Sequence, residues 1–208
     1  MSKAQKLVRA ANLLIWLPAL VILVLFLADG LSFNPIRTAL HWMGRFAVGF
    51  FVLSLAVTPL VTLTGASILA VLRRPIGLAA FYYAAIHLLI YITLDQGFNW
   101  LQLWRSFTRQ PFIWYGAAGI VILLLLGITA HKKVMRKLGK RWKVLQRLAY
   151  IGIFVVLVHY AMARKGNLFT LQGDIAVPLI MLVITLVLLA LRLPFIRKGI
   201  LRLRKANR

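Results

Sequence analysis

Cysteine is missing from all 208 residues, and glutamate is missing too. The first absence removes disulfides, thiolate chemistry and cysteine-ligated zinc or iron–sulfur centres together. The second leaves three acids, Asp29, Asp95 and Asp174, far apart in sequence and at the ends of apolar runs. Catalysis by paired carboxylates is thereby excluded, and a carboxylate proton pump is disfavoured because no acid falls at mid-run. No glycine-rich phosphate loop occurs either, since Gly65 and Gly77 are isolated and too far apart to build one. A metal in this chain must be held by histidine, or by a cofactor that histidine holds.

What is abundant is apolar surface. Hydrophobic residues make up 62% of the chain and mean hydropathy is +0.89, where soluble domains sit near half apolar. The 26 Lys and Arg give a net charge of +23, a value that raises nucleic acid as a partner. They lie between long apolar runs, so they are read as topology signals, with lipid and not nucleic acid around the chain.

A spanning helix needs roughly 20 mostly apolar residues. The runs predict spans at 10–28, 41–63, 76–94, 111–130, 146–163 and 175–193. Pro75 and Pro111 fall where a first helical turn tolerates proline, Pro194 stops the last span, and Pro18 and Pro59 should bend the first two. The basic residues gather in the N-terminal tail, at Arg73 and Arg74, between Lys132 and Arg147, and from Arg192 to the end. The positive-inside rule then puts both termini in the cytoplasm. The expectation is an all-α membrane protein, a six-helix transmembrane bundle with N-in, C-in topology in one domain over 1–208. Residues 95–110 mix Phe98, Trp100, Trp104 and Phe107 with polar residues, the pattern of a short amphipathic helix lying on the outer surface. No internal repeat stands out.

Four histidines remain as chemistry. His87 in span three and His159 in span five fall at similar depth, about 10 Å and about 6 Å below the outer ends of their helices at 1.5 Å per residue. Two imidazoles on facing helices can clamp a planar porphyrin, one nitrogen on each side of the iron. Tyr83 and Tyr91 flank His87, and the small Ala84, Ala85 and Ala163 leave room for a flat ring. The alternative is a histidine satisfied by a carbonyl of a neighbouring helix. His41, at the outer start of span two, is a third outer ligand, a propionate contact or an interfacial side chain. His131, beside Lys132 and Lys133, reads as solvated. Arg73 and Arg74 suit a flavin phosphate or a semiquinone anion, or serve topology alone. A non-redox reading, a small transporter or assembly factor, is separated from the haem reading by a visible spectrum.

Several strings carry a family resemblance. HWMGR at 41–45, TPL at 58–60, RRPIGL at 73–78, IHLLIY at 86–91, MRKLGKRW at 135–142 and VHY at 158–160 occur in the order and spacing of MsrQ (formerly YedZ) proteins. The chain resembles that family over essentially its whole length. The resemblance implies a ferric-reductase-like transmembrane domain with b-type haem between helices three and five. It also implies an inner-membrane electron-transfer subunit, working with a periplasmic molybdopterin methionine sulfoxide reductase (MsrP-like) as a heterodimer. Electrons would come from the quinone pool or a flavin reductase, and FMN is associated with the family. A ferric-reductase-like cytochrome b with another acceptor is the neighbouring reading. One position departs from the family pattern. Gln146 stands where the family has a histidine, thirteen residues before His159 and about 20 Å along a helix. Glutamine is a poor iron ligand, so the second, inner haem of the family is in doubt here.

Overall fold

A computed structural model describes residues 2–165 and 173–206, and every regular element among them is helical. In chain order these are α1 (Lys3–Leu27), α2 (Pro35–Thr64), α3 (Arg73–Ile90), α4 (Trp100–Arg109), α5 (Pro111–Thr129), α6 (Lys132–Leu138), α7 (Lys140–Leu145), α8 (Leu148–Ala163), α9 (Ala176–Ala190) and α10 (Pro194–Ala206). A 3₁₀ stretch, Ser67–Leu72, leads into α3, and a π-helical turn, Tyr91–Asp95, extends it.

Local chemistry explains the boundaries. Ser2 and Gln5 form a reciprocal capping box on α1, which satisfies two of the amide groups a helix start leaves open. Asn34 caps α2 ahead of Pro35, Asn99 caps α4, and Pro111 opens α5. Gly65 ends α2 with φ +77°, a left-handed conformation that glycine adopts without penalty.

Five helical segments are long and apolar enough to cross a membrane: Lys3–Leu27, Pro35–Thr64, Ser67–Asp95, Pro111–Thr129 and Lys140–Ala163. The chain is a multi-pass membrane protein. The sixth expected span, 175–193, is shorter than its sequence suggests. α9 has 15 residues, about 22 Å at 1.5 Å per residue against a hydrocarbon core of about 30 Å. The chain then bends by 71° into α10. Pro194 therefore begins a new helix as well as closing the old one, and a sixth span is counted when α9 and the bent, basic α10 are taken as one.

Antiparallel pairs α2–α3 and α5–α8 form the centre, with α1 against the first pair and α9 against α2 and α8. Phe51, Leu55, Ala80, Leu123, Ile153 and Leu157 meet where the two pairs join. Leu13, Leu20, Val24, Leu124, Val183 and Val187 stay exposed, an apolar exterior suited to lipid and untenable as a water-facing patch. Arg37 and Asp95 form an ion pair at one end of the bundle, and Arg164 pairs with Asp174. The Asp174 carboxylate, accepting that hydrogen bond, holds the Arg164 guanidinium more firmly protonated than usual. Expected helix α4 is present, with Trp100, Leu101 and Trp104 exposed.

Pro18 leaves a flaw in α1, and Tyr83 fills it. The completely buried Tyr83 hydroxyl donates to Ile15 O at 2.7 Å and accepts from Ala19 N at 3.0 Å. It stands inside the helical ladder next to the residue that cannot donate. Tyr83 therefore fastens α1 to α3 instead of lining a slot beside His87. Removing the hydroxyl strands two buried backbone groups, a cost of about 1–3 kcal/mol. Tyr83→Phe should lower the thermal unfolding midpoint in detergent accordingly. An unchanged midpoint would show that α1 closes its own ladder.

Candidate functional site

The two histidines come together. His87 on α3 and His159 on α8 have ring centroids 6.3 Å apart and planes inclined by 81°. Each is half-buried, and each is tied in the same way to the helix it pairs with. His87 Nδ1 lies 2.8 Å from Leu40 O on α2, and His159 Nδ1 lies 2.8 Å from Phe112 O on α5. A carbonyl only accepts, so each Nδ1 carries the proton and each Nε2 keeps its lone pair for something else. Carbonyl satisfaction and metal ligation, posed as alternatives by the sequence, thus occupy different nitrogens of one ring.

Glycines make the two bonds possible. A Cβ on Gly44 would stand 3.1 Å from His87 Nδ1, and one on Gly116 would stand 2.8 Å from His159 Cε1. Each glycine lies one turn after the accepting carbonyl, on the face where the imidazole crosses the helix. The arrangement recurs at a fixed interval: carbonyl to histidine is 47 residues in both halves, and Trp42–Gly44 matches Trp114–Gly116. This is an internal repeat that the sequence hides, because the helices between these few positions share little else. The two glycines were missed as site residues. The signal that could have found them is the shared W-x-G at a constant distance before each histidine.

Haem is the group the resemblance implies, and the donor set fits it. With ring centroids 6.3 Å apart and each Nε2 left without its proton, the two imidazoles would be able to hold one haem iron between them. No cluster of three or more His, Cys, Asp or Glu able to hold a metal ion occurs among the described residues. The pair therefore suits a metal whose other ligands come with it, as in a porphyrin.

The other candidates fall elsewhere. His41 is exposed at the start of α2, near Arg37, Arg45, Arg164 and Asp95. It shares the end of the bundle with the histidine pair but is not part of it. Arg73 and Arg74 are exposed at the opposite, basic end, at the start of α3. His131 is exposed and caps α6, accepting from Lys133 N. Gln146, between α7 and α8, turns its amide nitrogen to Thr129 Oγ1 at 3.2 Å and Leu126 O at 3.3 Å. With Trp142 Nε1 donating to Thr129 O at 2.8 Å, it anchors the basic segment to the end of α5.

Residues 43–158 match the family described as ferric reductase like transmembrane component. Three relatives share the name protein-methionine-sulfoxide reductase heme-binding subunit MsrQ. The protein of Brucella anthropi is 38% identical over 169 residues, covering 78% of this chain and 76% of the relative. That of Agrobacterium fabrum is 37% identical over 149 residues, 72% of this chain and 69% of the relative. That of Brucella ovis is 38% identical over 151 residues, covering 73% and 68%.

Alanine ordinarily stabilises a helix interior over glycine by about 0.5–1 kcal/mol. At Gly44 and Gly116 the sign should reverse, because the added methyl pushes the imidazole from its carbonyl. Gly116→Ala should be the more damaging, since its contact is the shorter. Haem retained per purified chain is the readout, and equal retention in both variants and the parent would refute this role.

Proposed function

The chain belongs to the MsrQ family of ferric-reductase-like membrane components, and from that premise we propose that it is a haem-b electron-transfer subunit bound through His87 and His159. The observation that carries the reading is the 6.3 Å pair with both Nδ1 positions tied to backbone. When bound, the haem supplies a one-electron couple. The protein's own contribution is to hold two neutral imidazoles at fixed distance and inclination, which limits the rearrangement that a change of iron charge demands.

The bundle is oriented with its basic end in the cytoplasm and its aspartate end in the periplasm of the inner membrane, as the distribution of Lys and Arg supports. The histidine pair then lies toward the periplasmic side. Electrons enter at the cytoplasmic end, from a quinol of the membrane pool or a reduced flavin such as FMN, whose phosphate Arg73, Arg74 and the basic segment 132–147 favour. They leave to a periplasmic molybdopterin methionine sulfoxide reductase of the MsrP type, in a heterodimer that repairs oxidised periplasmic proteins. This subunit transforms no organic substrate beyond oxidising its donor.

A single haem is the other part of the proposal. Gln146 donates to Thr129 and Leu126, and its amide offers iron a weaker ligand than imidazole does. Arg74, the counterpart of Gln146 in the repeat, offers none. The inner half of the relay is left to the donor itself.

His87→Ala and His159→Ala should each abolish the Soret band of the purified protein, while His131→Ala should leave it intact. A normal spectrum in either of the first two would refute the ligand assignment. The parent chain should carry about one haem, measured as pyridine haemochrome per protein, and a value near two would refute the single-site reading.

A further inference from the structure

Arg192 stands in the break between α9 and α10, and its guanidinium is held inside the bundle. One amino group donates to Leu55 O at 2.5 Å and the other to the Tyr150 hydroxyl at 2.9 Å, with the guanidinium carbon 5.5 Å from the Tyr150 ring centre. Leu55 O is available because Pro59, one turn later, has no N–H to return to it. Of the three N–H groups left over, that on Nε is fully enclosed and has no partner among the described residues. A buried charged donor without an acceptor is costly unless something arrives to meet it.

No side-chain carboxylate stands near this charge. Asp29, Asp95 and Asp174 are the only side-chain carboxylates. Asp95 and Asp174 pair with arginines at the opposite end, and Asp29 follows α1 at that same end. Arg73, exposed at the start of α3, adds a second cation at this end of the bundle. Arg204 offers a contrast. It donates to Thr62 O at the C-terminus of α2, beside Gly65, where the helix dipole already favours a cation. Leu55 lies more than two turns before that terminus, so the dipole does not account for Arg192.

A guanidinium enclosed without a carboxylate, at an end of the bundle that already carries Arg73, calls for an anion from outside. The fork of N–H donors matches the oxygens of phosphate better than a point charge does. We propose that Arg192, with Arg73 and Tyr150, forms a binding site for a phosphate oxyanion at the basic end, between α2, α3, α8 and the α9–α10 break. The phosphate is supplied either by an anionic phospholipid of the adjoining leaflet or by a soluble phosphate ester. The site uses neither histidine, so it stands apart from the haem reading, although it draws on Arg73 from the donor region.

The full chain, purified in mild detergent, is assayed in two arms. The first measures phosphatidylglycerol retained after reconstitution with it, by mass spectrometry. The second titrates FMN by fluorescence quenching. Arg192→Gln should weaken one of the two by about tenfold or more, with Arg192→Lys intermediate because it keeps charge but loses the fork. Loss in the first arm assigns a lipid phosphate, and loss in the second assigns a phosphate ester. Lys6→Gln, exposed at the same end, should change neither. The Soret band is read separately, so a failed haem proposal and a failed phosphate site are distinguishable. Should Arg192→Gln not fold, Arg73→Gln, which alters an exposed side chain, provides the same comparison. Retention and affinity equal to the parent in both arms, for every variant that folds, would overturn the proposal.

Discussion

Everything at the histidine pair depends on one kind of bond, an imidazole Nδ1–H given to a backbone carbonyl that a helix has already used. That carbonyl, Leu40 O or Phe112 O, is reachable only because glycine follows one turn later. The bond fixes the tautomer, the tautomer leaves Nε2 free, and the rigid helix pair sets where Nε2 lies. Because α2–α3 and α5–α8 use the same device, the two rings meet at matching depth without any polar network in the membrane. A span poor in polar side chains can thus position two imidazoles with backbone alone.

Prolines extend the theme. Each interior proline disturbs a helical ladder, and in both places a side chain from another helix occupies the disturbed position. Tyr83 enters α1 beside Pro18, and Arg192 reaches the carbonyl released by Pro59. Inside a bilayer no water can perform that service, so backbone flaws become docking points between helices. The first sets α1 against the histidine-bearing α3. The second brings a cation into the basic end, where no side-chain carboxylate answers it.

Much of this was legible in sequence for physical reasons. Apolar runs of spanning length, the prolines at 18, 59 and 111, and the asymmetric lysines and arginines state the membrane architecture directly, because bilayer thickness and charge are one-dimensional constraints. The pairing of His87 with His159 followed from depth along two helices running the same way. Length alone placed the last span, but hydropathy through Leu191 and Leu193 does not reveal that the helix stops at Ala190 and turns. Tyr83 was assigned to the wrong neighbour, since its position one turn before His87 says nothing about which way the ring faces. The glycines escaped notice because their role lies in an absent methyl group, visible only once an imidazole stands against it. Gln146 was readable as a missing ligand, but its tie to Thr129 required the fold.

The central claim is that one iron is held between two imidazoles whose planes stand nearly perpendicular. Low-temperature electron paramagnetic resonance of the oxidised chain reads that arrangement directly. The account predicts a low-spin ferric signal of the highly anisotropic kind given by crossed imidazole planes, as the 81° inclination requires, and its loss in His87→Ala and His159→Ala. A high-spin ferric signal in the parent chain, or a low-spin signal that survives either substitution, would contradict it.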